Sequence, residues 1–154
     1  MIELVEIDDE VRAALLTLRI APESERYVGG QIVEVMADAE KFPEAKPWSR
    51  AVYADGEAVG YVLLSWDVEP DPPDVIGPWF LWKLLIDEHH QRRGLGGEVV
   101  RAVADLVRAQ GADELLTSVV AGDDGPASFY AGLGFVPTGE VDSEGEAIIA
   151  MSLH

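Results

Sequence analysis

The chain has 154 residues, 48% of them hydrophobic, and this length and composition predict one globular domain over 1–154 rather than a disordered chain. No apolar run reaches the roughly 18 residues of a membrane-spanning helix, and the absence of cysteine excludes disulfides, thiolate metal sites and a cysteine nucleophile. A formal net charge of −18 disfavours nucleic acid and anionic membranes as partners, and the N-terminus has no signal-peptide pattern, so we expect a cytoplasmic protein.

The first half of the chain predicts a strand, two helices and a β-hairpin. Residues 2–7 alternate apolar and acidic side chains, as a half-buried strand does, and 10–20 has helical spacing. A second helix is predicted from about 23 to 40, although a glycine pair weakens its middle. Two apolar runs then flank Asp55-Gly56, which is a strong hairpin turn signal.

The second half predicts a strand–loop–helix unit at the centre of the fold. An acidic, proline-rich loop over 67–78 leads into the apolar run 79–87, which is typical of a strand buried on both faces. An amphipathic helix follows from Gly94 and ends at Gly111. A strand over 113–121, a short helix and a final hairpin complete a mixed α/β plan.

The segment QRRGLGG, residues 91–97, joins the central strand to the amphipathic helix. The first N–H groups of a helix are unpaired and carry a partial positive charge, so they bind anions. Glycines let a phosphate approach the backbone, and Arg92 and Arg93 can add charge-assisted hydrogen bonds. Five of the 11 Lys and Arg residues lie between Lys83 and Arg108, which fits a phosphorylated ligand at this place.

Two familiar phosphate loops do not fit this segment. The Walker A loop requires Gly-Lys-Ser/Thr, which the chain lacks. The dinucleotide fingerprint begins at Gly94 and Gly96 but requires a small residue where the chain has Val99. The remaining pattern is (Q/R)-x-x-G-x-(G/A), beginning at Gln91.

Together with the later stretch FYAGLGF (129–135), this pattern resembles the GNAT superfamily of acyl-CoA-dependent N-acetyltransferases. The segment GPWFLWKLLIDEHHQRRGLG is most similar to bacterial polyamine and diamine acetyltransferases. The resemblance implies a single N-acetyltransferase domain with about seven mostly antiparallel strands, a parallel β4/β5 splay and about four helices. It also implies direct acetyl transfer from acetyl-CoA to a primary amine in a ternary complex, without a metal.

Carried over residue by residue, the resemblance assigns the donor side of the site. Tyr130 corresponds to the tyrosine near the CoA sulfur and is the candidate general acid. Asp123 stands where the family often has an asparagine, which puts its contact with the pantetheine arm in doubt. The resemblance places the end of the central strand beside the pantetheine arm, at Leu84, Leu85 and Ile86. It places the glycine loop around the pyrophosphate, at Gln91, Arg92, Arg93, Gly94, Leu95, Gly96 and Gly97.

The acceptor side is less defined by the sequence. Trp82 is either a core residue or a wall that stacks on a cation. Some family members have a glutamate that acts as the general base near the start of the fourth strand, where this chain has apolar residues. The candidate bases and cation-steering carboxylates are therefore Glu34, Asp38, Asp67, Glu69 and Asp74. A non-catalytic acyl-CoA-binding module and an antibiotic or peptide N-acetyltransferase remain as alternatives. The exposed final hairpin and the habit of the family favour a homodimer.

Overall fold

The structure is a computed structural model that describes residues 2–22, 30–91, 93–120 and 126–154. Two 3₁₀ turns, Pro43–Ala45 and Glu88–His90, precede β2 and the glycine loop. In these ranges, no helix is long and apolar enough to cross a membrane. The strands and α-helices are, in chain order, β1 (Ile2–Val5), α1 (Asp9–Leu15), α2 (Ile32–Ala39), β2 (Pro47–Ala54), β3 (Glu57–Ser65), β4 (Phe80–Ile86), α3 (Leu95–Ala109), β5 (Glu114–Val119), α4 (Ala127–Gly132), β6 (Val136–Val141) and β7 (Ala147–Ser152).

The strands form one seven-stranded sheet in the order β1-β2-β3-β4-β5-β7-β6. Neighbouring strands are antiparallel except β4 and β5, which are parallel. Parallel neighbours need a crossover connection, and α3 supplies it. The predicted fold class, a mixed sheet with a parallel β4/β5 pair, is therefore confirmed.

Helices cover the two faces of the sheet and bury separate hydrophobic clusters. Side chains alternate along β3: Tyr61 and Leu63 pack with α1 and α2, whereas Val62 and Leu64 pack with α3. Each such buried side chain stabilises the fold by roughly 1.5–3 kcal/mol. We call these the α1/α2 face and the α3 face. Strand β4 contributes to both, as its almost unbroken apolar sequence predicts.

Strand β4 contains a bulge at Trp82. In the pairing with β3, Leu63 lies opposite Lys83 and Leu64 lies opposite Leu81, so Trp82 has no partner in that ladder. Leu81 and Leu84 both pack into the α3-face cluster although two residues separate them. The bulge therefore places Trp82 and Lys83 together on one stretch of the strand, where they share a cavity.

The hairpin prediction is confirmed, because Asp55 and Gly56 have φ of 53° and 83° between β2 and β3. Part of the second helix prediction is wrong: Gly30 has φ of 118°, Gln31 is the N-cap, and α2 begins only at Ile32. The earlier part of the predicted helix, 23–29, lies outside the described residues.

Candidate functional site

Strands β4 and β5 diverge soon after they meet. Their ladder holds only two pairs, Phe80 with Leu116 and Leu81 with Thr117. Beyond Leu81, β4 continues to Ile86 with no β5 partner along its described length. This splay leaves backbone groups of β4 facing a gap between parallel strands, which is where an extended ligand can pair with the sheet.

The residues predicted to contact the pantetheine arm lie along this gap. Leu84 and Ile86 are half-buried against the α3-face cluster, and Leu85 is buried in the opposite cluster. Gln91 closes the end of the gap, because its Nε2 donates to the Ile86 carbonyl oxygen at 2.9 Å. The Gln91 side chain is thus a brace between the glycine loop and β4.

The glycine loop turns into α3 through Gly94, which has φ of 74° and caps the helix. Leu95 is buried in the core and anchors the first turn, whereas Arg93 is exposed. Arg92 lies outside the described residues. The first turn therefore presents backbone N–H groups of Leu95, Gly96 and Gly97 that have no partner within the helix.

Gly96, in the first turn of α3, faces Phe129 of α4 and Leu84 of β4. A Cβ atom added there would stand 3.2 Å from Cζ of Phe129 and 4.0 Å from Cδ2 of Leu84. At Gly94 an added Cβ would meet nothing within 4 Å, but its positive φ favours glycine. The bare backbone at Gly96 lets Phe129 and Leu84 pack close to the first turn, whose unpaired N–H groups fit a phosphorylated ligand.

Asp87 fixes the end of β4 before the glycine loop. Its carboxylate accepts from the backbone N–H groups of Arg19 at 2.8 Å and His89 at 3.2 Å, and lies 2.9 Å from Nδ1 of His90. Burial alone would raise the pKa of Asp87, but these hydrogen bonds and the charge of His90 hold it below its usual value. His89 is an exposed turn residue, whereas His90 is largely buried.

Tyr130, on α4, reaches the base of the splay. It is buried beside Thr117, whose Oγ1 donates to the Leu81 carbonyl oxygen at 2.8 Å. Its ring also makes an edge contact with Phe135 at 5.3 Å. Burial raises the pKa of Tyr130 to about 12, against the opposing effect of Thr117. Tyr130 is therefore neutral at physiological pH and can donate a hydrogen bond where β4 and β5 part.

A cavity of about 200 Å³ lies on the other side of the sheet, between Trp82 and Ser118. Trp82 is the first β4 residue beyond the β4/β5 ladder, and Ser118 is the first of β5. We call this space the acceptor-side cavity. Its aromatic walls are Phe42, Phe80 and Trp82, and the carboxylates along it are Glu44, Asp74, Asp142, Glu144 and Glu146.

The predicted substrate contacts only partly coincide with this cavity. Trp82 and the candidate base Asp74 line it. Glu34, Asp67 and Glu69 do not, and all three are exposed. Glu34 instead accepts from the Gln31 N–H at 3.1 Å as part of the α2 capping box.

Sequence reasoning missed the turn between β6 and β7. The segment DSEGE, 142–146, reads as an ordinary polar hairpin turn, yet it contributes four residues to the cavity. Its signal is the alternation of carboxylates at 142, 144 and 146. Their shared location follows only from the pairing of β7 with β5.

Glu146 and Asp142 are the half-buried carboxylates of this turn, whereas Glu144 is exposed. Its Oε1 accepts from Oγ of Ser118 at 3.2 Å, while Oδ1 of Asp142 accepts from the N–H groups of Glu144 and Glu146, both at 2.9 Å. Burial raises the pKa of Glu146, the charges of Asp142 and Glu144 raise it further, and the Ser118 hydrogen bond opposes this.

Asp123 cannot be located in this arrangement, since it lies outside the described residues. No group of three or more His, Asp or Glu side chains suited to a metal ion occurs in the part of the chain that the structure describes. Thr117 and Tyr130 lie at the splay on the α3 face, and Ser118 and Glu146 lie there on the face of the acceptor-side cavity.

Comparison with known proteins accounts for this geometry. The chain is 26% identical over 153 residues to a probable spermine N(1)-acetyltransferase of Bacillus subtilis subsp. natto, with 99% of each chain covered. The PaiA N-acetyltransferase of Thermoplasma acidophilum, solved with coenzyme A, superposes with a TM-score of 0.65 at 15% identity and 99% coverage of both chains. An aminoglycoside acetyltransferase solved with coenzyme A gives a TM-score of 0.73 at 18% identity, covering 99% of this chain and 95% of its own.

The pattern of the acetyltransferase (GNAT) family matches residues 5–135, which is most of the chain. The matched range holds the β4/β5 splay, the glycine loop and Tyr130. It ends before the β6–β7 turn, so that turn is not part of the shared pattern. The chain therefore belongs to the GNAT family, as an acyl-CoA-dependent N-acetyltransferase.

Proposed function

We propose that the chain is a single N-acetyltransferase domain, 1–154, that transfers the acetyl group of acetyl-CoA to a polyamine or diamine by direct attack in a ternary complex. The observation that carries this proposal is the acceptor-side cavity, which combines aromatic walls with five carboxylates. It borders the splay at Trp82 and Ser118, where the acyl donor has to meet the amine.

The chemistry of the cavity favours a slender polycation. Carboxylates pair with ammonium groups, and the face of Trp82 attracts a cation by roughly 0.5–1 kcal/mol or more. The methylene segments of a polyamine match the apolar parts of the wall, as lysine stems do on protein surfaces. The net charge of −18 adds long-range attraction for such a substrate. The spermine-acetylating relative supports this substrate class.

On the opposite face, residues of the splay and of the first turn of α3 fit acetyl-CoA. Acetyl-CoA supplies an acetyl thioester, whose leaving group is a thiolate. In this proposal the N–H groups from Gly94 to Gly97 bind the pyrophosphate, and Arg92 and Arg93 add positive charge. The backbone of Leu84, Leu85 and Ile86 pairs with the pantetheine arm, and Asp123 lies near that arm.

Tyr130 is the proposed hydrogen-bond donor to the sulfur. With a pKa of about 12, it keeps its proton over the working pH range. Complete transfer of that proton to a thiolate of ordinary pKa, about 8.5, is uphill by roughly 5 kcal/mol. Tyr130 therefore first stabilises the developing negative charge by a hydrogen bond and protonates the sulfur as the bond breaks.

A thiol-release assay with acetyl-CoA tests the substrate class. The panel contains spermine, spermidine, putrescine, an aminoglycoside, amino acids and a lysine-containing peptide. We expect saturation by the linear polyamines with the highest kcat/KM. Preference for the aminoglycoside or the peptide would contradict the polyamine proposal, and no turnover of any amine would favour a non-catalytic acyl-CoA-binding module.

Tyr130→Phe tests the role of the hydroxyl. We expect kcat to fall about 100-fold, the range typical of a lost general acid, with no change in the Kd of CoA. Tyr53→Phe, on β2 away from the splay, is the matched control and should leave both unchanged. An unaltered kcat in Tyr130→Phe would refute the assignment.

A further inference from the structure

Two consecutive residues of β5, Thr117 and Ser118, contact functional side chains on opposite faces of the sheet. Side chains of adjacent strand residues point to opposite sides of a sheet. Thr117 lies beside Tyr130 on the α3 face, and Ser118 donates to Glu146 on the face of the acceptor-side cavity. Both pairs lie at the point where β5 leaves β4. A donor and an acceptor of protons therefore flank the splay from opposite faces.

We propose that Glu146 is the general base of the acetyl transfer, positioned by Ser118 and Asp142, and this assignment rests on the proposed function. The acceptor-side cavity borders the splay at Trp82 and Ser118, the first residues beyond the β4/β5 ladder. Glu146 is hydrogen-bonded to Ser118 at this border. The carboxylate is consequently beside the amine as the amine enters the reaction.

The proton balance of the step is as follows. Glu146 takes one proton from the ammonium, and the nitrogen lone pair forms a bond to the acetyl carbonyl carbon. The bond from that carbon to sulfur breaks, with its electron pair on sulfur. Of the two protons that the nitrogen loses, one passes through Glu146 to solvent and the other replaces the proton that Tyr130 gives to the sulfur. The amide and the free thiol are the products.

The surroundings of Glu146 suit a base that works near neutral pH. Asp142 and Glu144 on its own turn, Glu44 beyond α2 and Asp74 in the acidic loop all line the same cavity, opposed by Lys83 on β4. Burial and the neighbouring carboxylates raise the pKa of Glu146. Each unit of that rise reduces the uphill cost of taking an ammonium proton by about 1.4 kcal/mol.

The other carboxylates considered for this role are less well placed. Glu34 is held by the capping box of α2, and Asp67 and Glu69 are exposed outside the cavity. Asp74 lines the cavity from the acidic loop. Among the carboxylates that the structure describes, only Glu146 combines a cavity position with a hydrogen bond to β5 beside the splay.

Glu146→Gln removes the base and keeps the shape of the side chain. For the full-length variant with acetyl-CoA and spermidine, we expect kcat/KM at neutral pH to fall about 100-fold, the usual effect of losing a general base. We also expect log kcat/KM to rise with slope 1 up to about pH 10, where the amine loses its own proton to water. The wild type should be nearly flat between the pKa of Glu146 and that of the amine.

Ser118 tests the positioning step. Ser118→Ala removes the hydrogen bond that opposes the raised pKa of Glu146, so the acid limb of the pH profile should move to higher pH. Ser118→Thr keeps a hydroxyl and should restore the wild-type limb. Glu140→Gln, on the exposed strand β6, is the control for loss of one negative charge and should match the wild type.

Calorimetry without acetyl-CoA gives a second readout. A bound ammonium favours the charged carboxylate, so spermidine binding on the acid limb of the profile should release fewer protons from Glu146→Gln than from the wild type and from Glu140→Gln. If the wild type is active and Glu146→Gln has the same pH profile and the same proton release, this inference is overturned and the proposed function is not. Absence of wild-type turnover on every amine overturns the proposed function and the inference together.

Discussion

Replacing Gly96 with alanine should separate stability from cofactor binding. A helical glycine costs roughly 1 kcal/mol against alanine, so the replacement favours the folded state. The new Cβ would stand 3.2 Å from Cζ of Phe129, whose side chain is 40% exposed and can give way by a few tenths of an ångström. We therefore expect the free energy of unfolding to rise by about 0.5 kcal/mol, or to stay the same.

The same methyl group occupies the space above the splay, between Leu84 and Phe129. It should block the approach of a phosphate to the backbone N–H groups of the first turn. Loss of one charge-assisted hydrogen bond costs about 1.5–3 kcal/mol. This corresponds to a Kd of CoA about 10- to 100-fold higher.

Urea unfolding and isothermal calorimetry with CoA measure the two effects. Gly132→Ala is the matched control, because an added Cβ at the end of α4 would meet nothing within 4 Å. It should share any gain in stability and bind CoA like the wild type. Normal CoA affinity in Gly96→Ala would refute the role given to the bare backbone at this position.

Three further predictions concern the supports of the site. Asp87→Asn should lower the free energy of unfolding at neutral pH by about 2 kcal/mol, because the charged, buried acceptor is lost. The pKa of Asp87 is lowered in the folded protein, so the stabilisation from its carboxylate is complete above the unfolded-state pKa of about 3.9 and is lost as pH falls. The free energy of unfolding of Asp87→Asn should therefore depend less on pH in acid than that of the wild type. Thr117→Val should cost about 1–2 kcal/mol in urea unfolding, whereas Thr117→Ser should stay within about 0.5 kcal/mol, because it keeps the donor to Leu81. The KM for spermidine should rise as salt increases from about 0.01 to 0.15 M, since screening weakens the attraction of the carboxylates, and a salt-independent KM would contradict electrostatic steering.

Local signals made the donor side of the fold predictable. Asp55-Gly56 marks the turn between β2 and β3, and Gly94 caps α3. The apolar run before the glycine loop is the central strand β4. These features depend on backbone conformation and on periodicity, which a few neighbouring residues determine. The pattern that begins at Gln91 located the loop. The Gln91 side chain itself donates to the Ile86 carbonyl oxygen, so it braces β4.

The acceptor side depends on contacts between residues far apart in the chain. Ser118 meets Glu146 because β7 inserts between β5 and β6 in the sheet. Nothing in the acidic loop distinguishes Asp74, which lines the cavity, from Asp67 and Glu69, which do not. Charge patterns show that carboxylates are abundant, whereas only the sheet order shows which of them share a space.

The bulge in β4 also sets the register of the strand beyond it. If Trp82 were instead paired regularly with β3, strict alternation would turn every following side chain of β4 to the other face of the sheet. Leu85 would then leave the cluster beneath α1 and α2, and Leu84 and Ile86 would leave the cluster beneath α3. The bulge at Trp82 therefore keeps Leu84, Leu85 and Ile86 in their clusters, so acceptor preference can vary by substitution at position 82 while the packing of the strand beyond it remains constant.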